Sequence, residues 1–241
     1  MNRLYFVRHG ENMANITGEF SHKILDYSLT DKGVLQAEQT AEFFADKQIN
    51  EIFASPLKRA RETAGIISEK LQLPVTIMEN FREMNIGDLD GKKGEDLWLF
   101  HNQIVRRWLS GEPEVPFPGG ENYLTMAQRF LGGLNQILAG KQNKNIVLVG
   151  HAGIFNCTVK DYCRNIDFQT IFTAHNNNCS ITTMDIESVN GLVQANMVQW
   201  AYFGHLNGQA AEFVPPIPQP KDQARREAMK LWREDAKGLE A

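Results

Sequence analysis

The stretch Asn145-Ile146-Val147-Leu148-Val149-Gly150-His151-Ala152-Gly153 decides the fold. Four consecutive aliphatic residues ending in Gly read as a strand buried on both faces, which occurs in parallel sheets covered by helices. A helix is expected directly after it, over about 154–163. Outward from this stretch the same alternation recurs. Arg3-Leu4-Tyr5-Phe6-Val7 reads as a core strand. Val34, Ala37, Ala41 and Phe44 then step by three and four, with Glu38, Gln39, Glu42 and Asp46 opposite, which is the period of an amphipathic helix. Thr30 is its expected N-cap, and Asp31 suits its first turn. Residues 49–54 predict a second strand. Ser55-Pro56 predicts a helix with Pro at its first position, running to about Leu73 before Pro74. A short strand is expected at 75–78, a helix at 121–139, and a late hairpin at 179–187 and 192–201 with Val189-Asn190-Gly191 near its turn. The pattern predicts a three-layer α/β sandwich around a mostly parallel sheet.

Two segments break the alternation. Residues 84–120 are rich in Gly, Asp and Lys, hold an expected helix at 94–109, and close with Pro113, Pro116 and Pro118. They read as an insertion over one face of the sheet. Pro215-Pro216-Ile217-Pro218-Gln219-Pro220 reads as an extended linker to a charged, helix-prone tail at 221–241. The division expected is a body at 1–214 and an appendage at 215–241.

Composition removes several classes. The chain has 241 residues and a net charge of −4, from 25 basic and 29 acidic residues, a poor match to a nucleic-acid binder. No run of about 18 apolar residues predicts a membrane span, and no leader pattern opens the sequence. Cys157, Cys163 and Cys179 form no Cys-x-x-Cys and read as small buried thiols, which points to a reducing, cytoplasmic home. A homodimer is compatible with this reading.

Reactive side chains collect at the expected strand ends. Arg8-His9-Gly10-Glu11 follows the first strand and Gly150-His151-Ala152-Gly153 the clearest one. Ser55-Pro56-Leu57-Lys58-Arg59-Ala60-Arg61 sits at a third junction, and Phe81-Arg82-Glu83 follows the short strand. Open α/β sheets bind ligands beyond the carboxyl ends of their strands, and packing needs no cations there. Arginine forks match phosphate oxygens. A neutral imidazole is a nucleophile at pH 7. A carboxylic acid can protonate a leaving alkoxide. The set reads as phosphoryl transfer through a phosphohistidine, with clustered cations in place of a metal. The histidines His9, His22, His101, His151, His175 and His205 form no local ligand pair. No metal and no other cofactor is expected.

These residues resemble the histidine phosphatase (phosphoglycerate mutase-like) superfamily over about residues 3–206. The resemblance rests on Val7-Arg8-His9-Gly10-Glu11, Asn15, Leu29-Thr30 with Gly33 and Gln36-Ala37, and Ser55-Pro56-Leu57 with Arg59-Ala60 and Thr63-Ala64. It continues through Arg82-Glu83 with Gly87, Gly119-Gly120-Glu121, Gly150-His151 with Gly153, Asn178 and His205-Leu206. It implies that His9 is the phosphorylated nucleophile, that Arg8, Arg59 and His151 hold the phosphate, and that Asn15 lines the pocket. Glu83 is then the general acid and later the base. Ser21 stands where the family often has a pocket Gln, Asn12 where Thr or Ser is usual, and Leu89-Asp90-Gly91 where Trp-Glu-Gly is usual. Ser21, Arg82 and Ala152 complete the expected substrate side.

The expected activity is a metal-independent phosphomonoesterase acting on small phosphorylated metabolites. A phosphoglycerate mutase or a non-catalytic phosphate-binding module are the alternatives. Residues 84–129 carry Lys92, Lys93, Arg106, Arg107 and Arg129 beside seven acids, a poor grip for a bisphosphate. Arg82 or Lys58 is expected to add a remote charge contact favouring phosphorylated acids or sugars, with Arg61 as a further cation. Trp98, His101 and Trp108 of the insertion are expected to cap the pocket.

Overall fold

In the computed structural model the described residues are 1–166, 171 and 176–212. The expectation for 215–241 lies outside them. Six strands form one sheet in the order β3-β2-β4-β1-β5-β6. They are β1 (Asn2–Arg8), β2 (Glu51–Ala54), β3 (Val75–Ile77), β4 (Asn145–Gly150), β5 (Ile181–Val189) and β6 (Leu192–Tyr202). β1, β2, β3 and β4 run parallel, while β5 and β6 are antiparallel additions at one edge.

The two-residue period of the central strands builds the layers. Leu4 and Phe6 of β1, with Ile146 and Leu148 of β4, face one core; Tyr5 and Val7, with Val147 and Val149, face the other. The first core is covered by α5 (Tyr123–Leu138) through Met126, Phe130 and Leu134, and by α6 (Ala152–Thr158) through Ile154 and Phe155. The second is covered by α2 (Asp31–Phe44) through Ala41 and Phe44, and by α3 (Lys58–Leu71) through Ala60, Ala64 and Ile67. This is the expected three-layer sandwich.

Local chemistry explains where elements begin. The Thr30 hydroxyl accepts from the Gly33 amide at 3.0 Å and caps α2 as expected. Asn190 and Gly191 take φ of 52° and 77° and close the β5–β6 hairpin, a turn that only residues tolerant of positive φ accept cheaply. The start of α3 differs from expectation. Its first helical residue is Lys58, not Pro56, because Asp26, distant in sequence, caps it: both Asp26 oxygens accept from the Lys58 amide at 2.9 Å. α6 is shorter than expected and passes into a 3-10 turn at Val159–Asp161. A five-residue helix, α1 (Met13–Thr17), is present where a loop was expected. Asn12 and Asn15 cap it reciprocally, each side-chain oxygen accepting from the other's amide.

The insertion holds α4 (Glu95–Leu109) as expected. Its Ile104, Val105 and Trp108, with Phe117, join the first core, so it is packed body rather than a loose flap. Among the described residues no helix is long and apolar enough to cross a membrane, and the three cysteines are free and buried.

Candidate active site

The chain leaving β1 crosses to β2, beyond β4, and the chain leaving β4 crosses to β5, beyond β1. α2 and α6 carry these crossings on opposite faces. The crevice at the carboxyl ends of β1 and β4 is therefore a topological switch point, where α/β sheets bind ligands. His9 follows β1 and His151 follows β4, with ring centroids 5.3 Å apart.

His9 is held from several sides. Its amide donates to Gly150 O at 3.0 Å, and its carbonyl accepts from Asn178 Nδ2 at 3.0 Å. Nδ1 lies 2.7 Å from Gly10 O, an acceptor only, so Nδ1 carries the proton. That leaves a lone pair on Nε2, which accepts from Arg59 Nε at 3.1 Å. Arg59 is the second residue of α3, and its position depends on the Asp26 cap. Its terminal nitrogens donate to Ser21 Oγ at 3.3 Å and Ser21 O at 3.2 Å. Ser21 thus steadies a cation. The loop carrying it is pinned by Asp90, whose carboxylate accepts from the amides of His22, Lys23 and Ile24.

Arg8 donates to the Asn176 carbonyl. Its buried Nε, and the buried Nδ2 of Asn12, have no partner among the described residues. Both residues line the cavity, so both donors suit an incoming anion. Glu83 faces the same cavity. Its Oε1 accepts from the Ile154 amide at 2.7 Å and the Met84 amide at 2.9 Å, and Oε2 from the Gly153 amide at 3.0 Å. Gly153 permits this: a Cβ there would lie 2.8 Å from both carboxylate oxygens.

The cavity is about 470 Å³. Arg8, His9, Asn15, Ser21, Arg59, Glu83 and Ala152 line it, so the structure brings most of the expected site together. His151 is fully buried beside His9, its Nε2 2.6 Å from Ser55 Oγ and its Nδ1 unpartnered. Arg82 does not join them. Its guanidinium donates to both Glu79 oxygens at 2.9 Å and borders a separate cleft with Glu121 and Arg129, because Glu79 stands three residues earlier in the same turn. Lys58 and Arg61 do not line the cavity either. Trp98 and His101 do, three residues apart on α4, while Trp108 is core. Asn102, Asn156 and Asn176 also line it and carried no sequence signal; Glu19 lines it too, within the stretch Gly18-Glu19-Phe20-Ser21-His22 that departs from the family's Gly-Arg-x-Gln-Gly pattern.

Burial, then the charges of Arg59 and Arg8, holds His9 well below the ordinary imidazole range; burial and Arg59 do the same to His151. Burial lowers His22 and His205 to about 4. Burial also lowers Arg8, to about 10, so it is still a cation at pH 7. The site at neutral pH is therefore two neutral imidazoles beside two guanidinium ions. A stability effect follows. The unfolded chain protonates these histidines near pH 6.5 and the fold does not, so stability present above that value is lost as pH falls below it. Urea midpoints are expected to drop between pH 7 and pH 5, before ordinary carboxylates titrate. A flat midpoint over that span contradicts the assignment.

Among the described residues no group of three or more His, Cys, Asp or Glu could hold a metal ion. A lone-pair nitrogen beside Arg59, in a cavity it shares with Arg8 and Glu83, can be phosphorylated and can have its leaving group protonated.

Known proteins agree. A family profile described as the histidine phosphatase superfamily (branch 1) matches residues 4–196. Phosphoserine phosphatase 1 of Hydrogenobacter thermophilus is 30% identical over 151 residues, covering 63% of this chain and 71% of its own. A probable phosphoglycerate mutase of Erwinia tasmaniensis is 29% identical over 204 residues, 83% of this chain and 93% of its own. The structure of a mutant phosphoserine phosphatase from Entamoeba histolytica with phosphoserine has the same fold at a TM-score of 0.69 and 24% identity, over 86% of this chain and 100% of that one. The chain belongs to the histidine phosphatase superfamily.

Proposed function

We propose that this chain is a metal-independent phosphomonoesterase for small phosphorylated metabolites, acting through a phosphohistidine at His9, with residues 1–214 as its catalytic domain. One observation carries the reading: the unprotonated Nε2 of His9 accepts from Arg59 Nε, in a cavity shared with Arg8 and Glu83. Nε2 attacks phosphorus, and the bond to the ester oxygen breaks. The leaving oxygen takes the proton of the Glu83 carboxyl. Protonated Glu83 gives up one of its amide contacts to point that proton inward. Arg8, Arg59 and the Asn12 amide meet the equatorial oxygens, with His151 behind them and Asn15, Ser21 and Ala152 bordering the group. The Gly10 carbonyl, on Nδ1–H, stabilises the positive ring of phosphohistidine. Water then attacks phosphorus, Glu83 takes its proton, and the nitrogen–phosphorus bond breaks to release phosphate and restore His9.

A mutase shares the first half of this cycle but must grip a second phosphate. Arg8 and Arg59 are the only Lys or Arg lining the cavity among the described residues, which favours hydrolysis. The negative charge argues against a nucleic-acid partner, and three free buried thiols suit the cytoplasm.

The test is phosphate release from sugar phosphates, phosphoglycerates, nucleotides and phosphopeptides, with and without EDTA, beside a mutase assay. Release at an undiminished rate in EDTA is the expected result. Loss restored by a divalent ion, or activity in the mutase assay alone, overturns the proposal.

A further inference from the structure

The cavity has two unlike halves. Arg8, His9, Asn12 and Arg59 form the phosphate half. The other is walled by Phe20, Met84, Ile86, Trp98 and His101 and contains one acid, Glu19. The aromatic wall is built: Phe20 and Trp98 lie 4.0 Å apart between centroids, and Trp98 and His101 5.3 Å. Trp98 Nε1 is spent on Gly18 O at 2.8 Å, so the indole offers the cavity ring surface rather than a donor. His101 is held toward its neutral form by burial and pairs through Nδ1 with Asn102. It supplies no cation.

Glu19 is positioned as a charge. Its Oε2 accepts from Thr17 Oγ1 at 2.8 Å and Tyr27 OH at 3.1 Å. Its Oε1 has no hydrogen bond, only Lys93 Nζ at 3.7 Å, on a side chain 64% exposed to water. The hydroxyl contacts from Thr17 and Tyr27 favour the ionised form. Among the described residues, no Lys or Arg lines this half of the cavity; Lys93 reaches Glu19 only from a water-exposed side chain, and Lys58, Arg61 and Arg82 lie elsewhere.

We infer that the leaving-group half of this cavity selects phosphate esters of ring-bearing alcohols that carry no carboxylate, with Glu19 as the discriminating group and Trp98 as the ring surface. This rests on the phosphomonoesterase reading; of the expected preference for phosphorylated acids or sugars it drops the acids. A carboxylated alcohol would set two like charges side by side in a partly desolvated site, whereas a neutral or amine-bearing ring meets an open acceptor and an aromatic wall.

The experiment compares 3-carbamoylphenyl phosphate with 3-carboxyphenyl phosphate, nearly equal in shape and differing by one charge. Wild type is expected to favour the carbamoyl ester by about tenfold or more in kcat/KM, and Glu19→Gln to shrink that ratio to about threefold or less. Equal values in wild type, preference for the carboxylate, or a ratio unmoved by Glu19→Gln overturns the inference. Trp98→Ala is expected to raise KM for naphthyl phosphate more than for methyl phosphate; equal effects on both overturn the ring assignment. The matching pair of benzylphosphonates, titrated by calorimetry, separates the two claims. Discrimination between the phosphonates without turnover of any ester sinks the phosphatase reading and leaves the pocket assignment standing. Turnover with no discrimination does the reverse.

Discussion

His9→Ala is expected to lower kcat by at least about 10⁴-fold while inorganic phosphate still binds. The loss is large because the nucleophile is a single atom. His9 Nε2 is the unprotonated nitrogen of an imidazole that lines the cavity, whereas His151 is fully buried behind it with its own Nε2 engaged by Ser55. Binding survives because Arg8 and Asn12 are anchored by Asn176 and the α1 cap, and Arg59, which loses its contact to the His9 ring, keeps those to Ser21. Two measurements check this together: turnover of an aryl phosphate, and calorimetric titration with phosphate. Brief exposure of wild type to labelled substrate, then a denaturing quench, should leave an acid-labile phosphate on the chain that His9→Ala lacks and His151→Ala can still form. Turnover retained by His9→Ala overturns the assignment.

Glu83→Gln is expected to split substrates by leaving group. Alkyl phosphates, whose alkoxides need a proton, should lose about 10²–10⁴-fold in kcat, the usual range for one acid–base group. Nitrophenyl phosphate, whose phenolate leaves unaided, should lose far less in its first step, seen as a retained burst of nitrophenol. The fold tolerates the change in shape, since Gln keeps one oxygen for the Ile154 and Met84 amides and loses only the Gly153 contact. Equal losses on both classes would give the acid's role to another group.

Much of this was legible in the sequence because strand ends are legible. Apolar runs located β1, β2 and β4, and residues directly after a parallel strand emerge at one edge whatever the rest of the chain does. That placed His9, Arg59, Glu83 and His151 together. Thr30 and Asn190-Gly191 were readable because caps and tight turns are decided within four residues. What could not be read depends on partners distant in sequence. The start of α3 is set by Asp26, thirty-two positions away. Arg82 looked like a substrate contact until its turn paired it with Glu79. Glu19 and Asp90 lie in stretches that depart from the family pattern, but their roles are not readable from sequence; the fold brings Glu19 to the cavity wall and Asp90 to three amides of the loop behind Arg59. Asn12, a departure from the family pattern, still makes a cap of its kind, which is why the departure costs nothing locally.

The position of β4 in the sheet has a consequence for synthesis. It lies between β2 and β1, yet it is the last of the four parallel strands to be made. A growing chain therefore carries Arg8, His9, Arg59 and Glu83 long before the strand that spaces β1 from β2 exists. The middle strand must insert between elements separated from it by much of the chain, the slow kind of contact. Until then the nucleophile has no carbonyl of Gly150 to hold its backbone, and Glu83 lacks the Gly153 and Ile154 amides that hold its carboxylate. The reactive pocket closes as one of the last acts of folding, so a partly made chain carries the reagents without the enzyme.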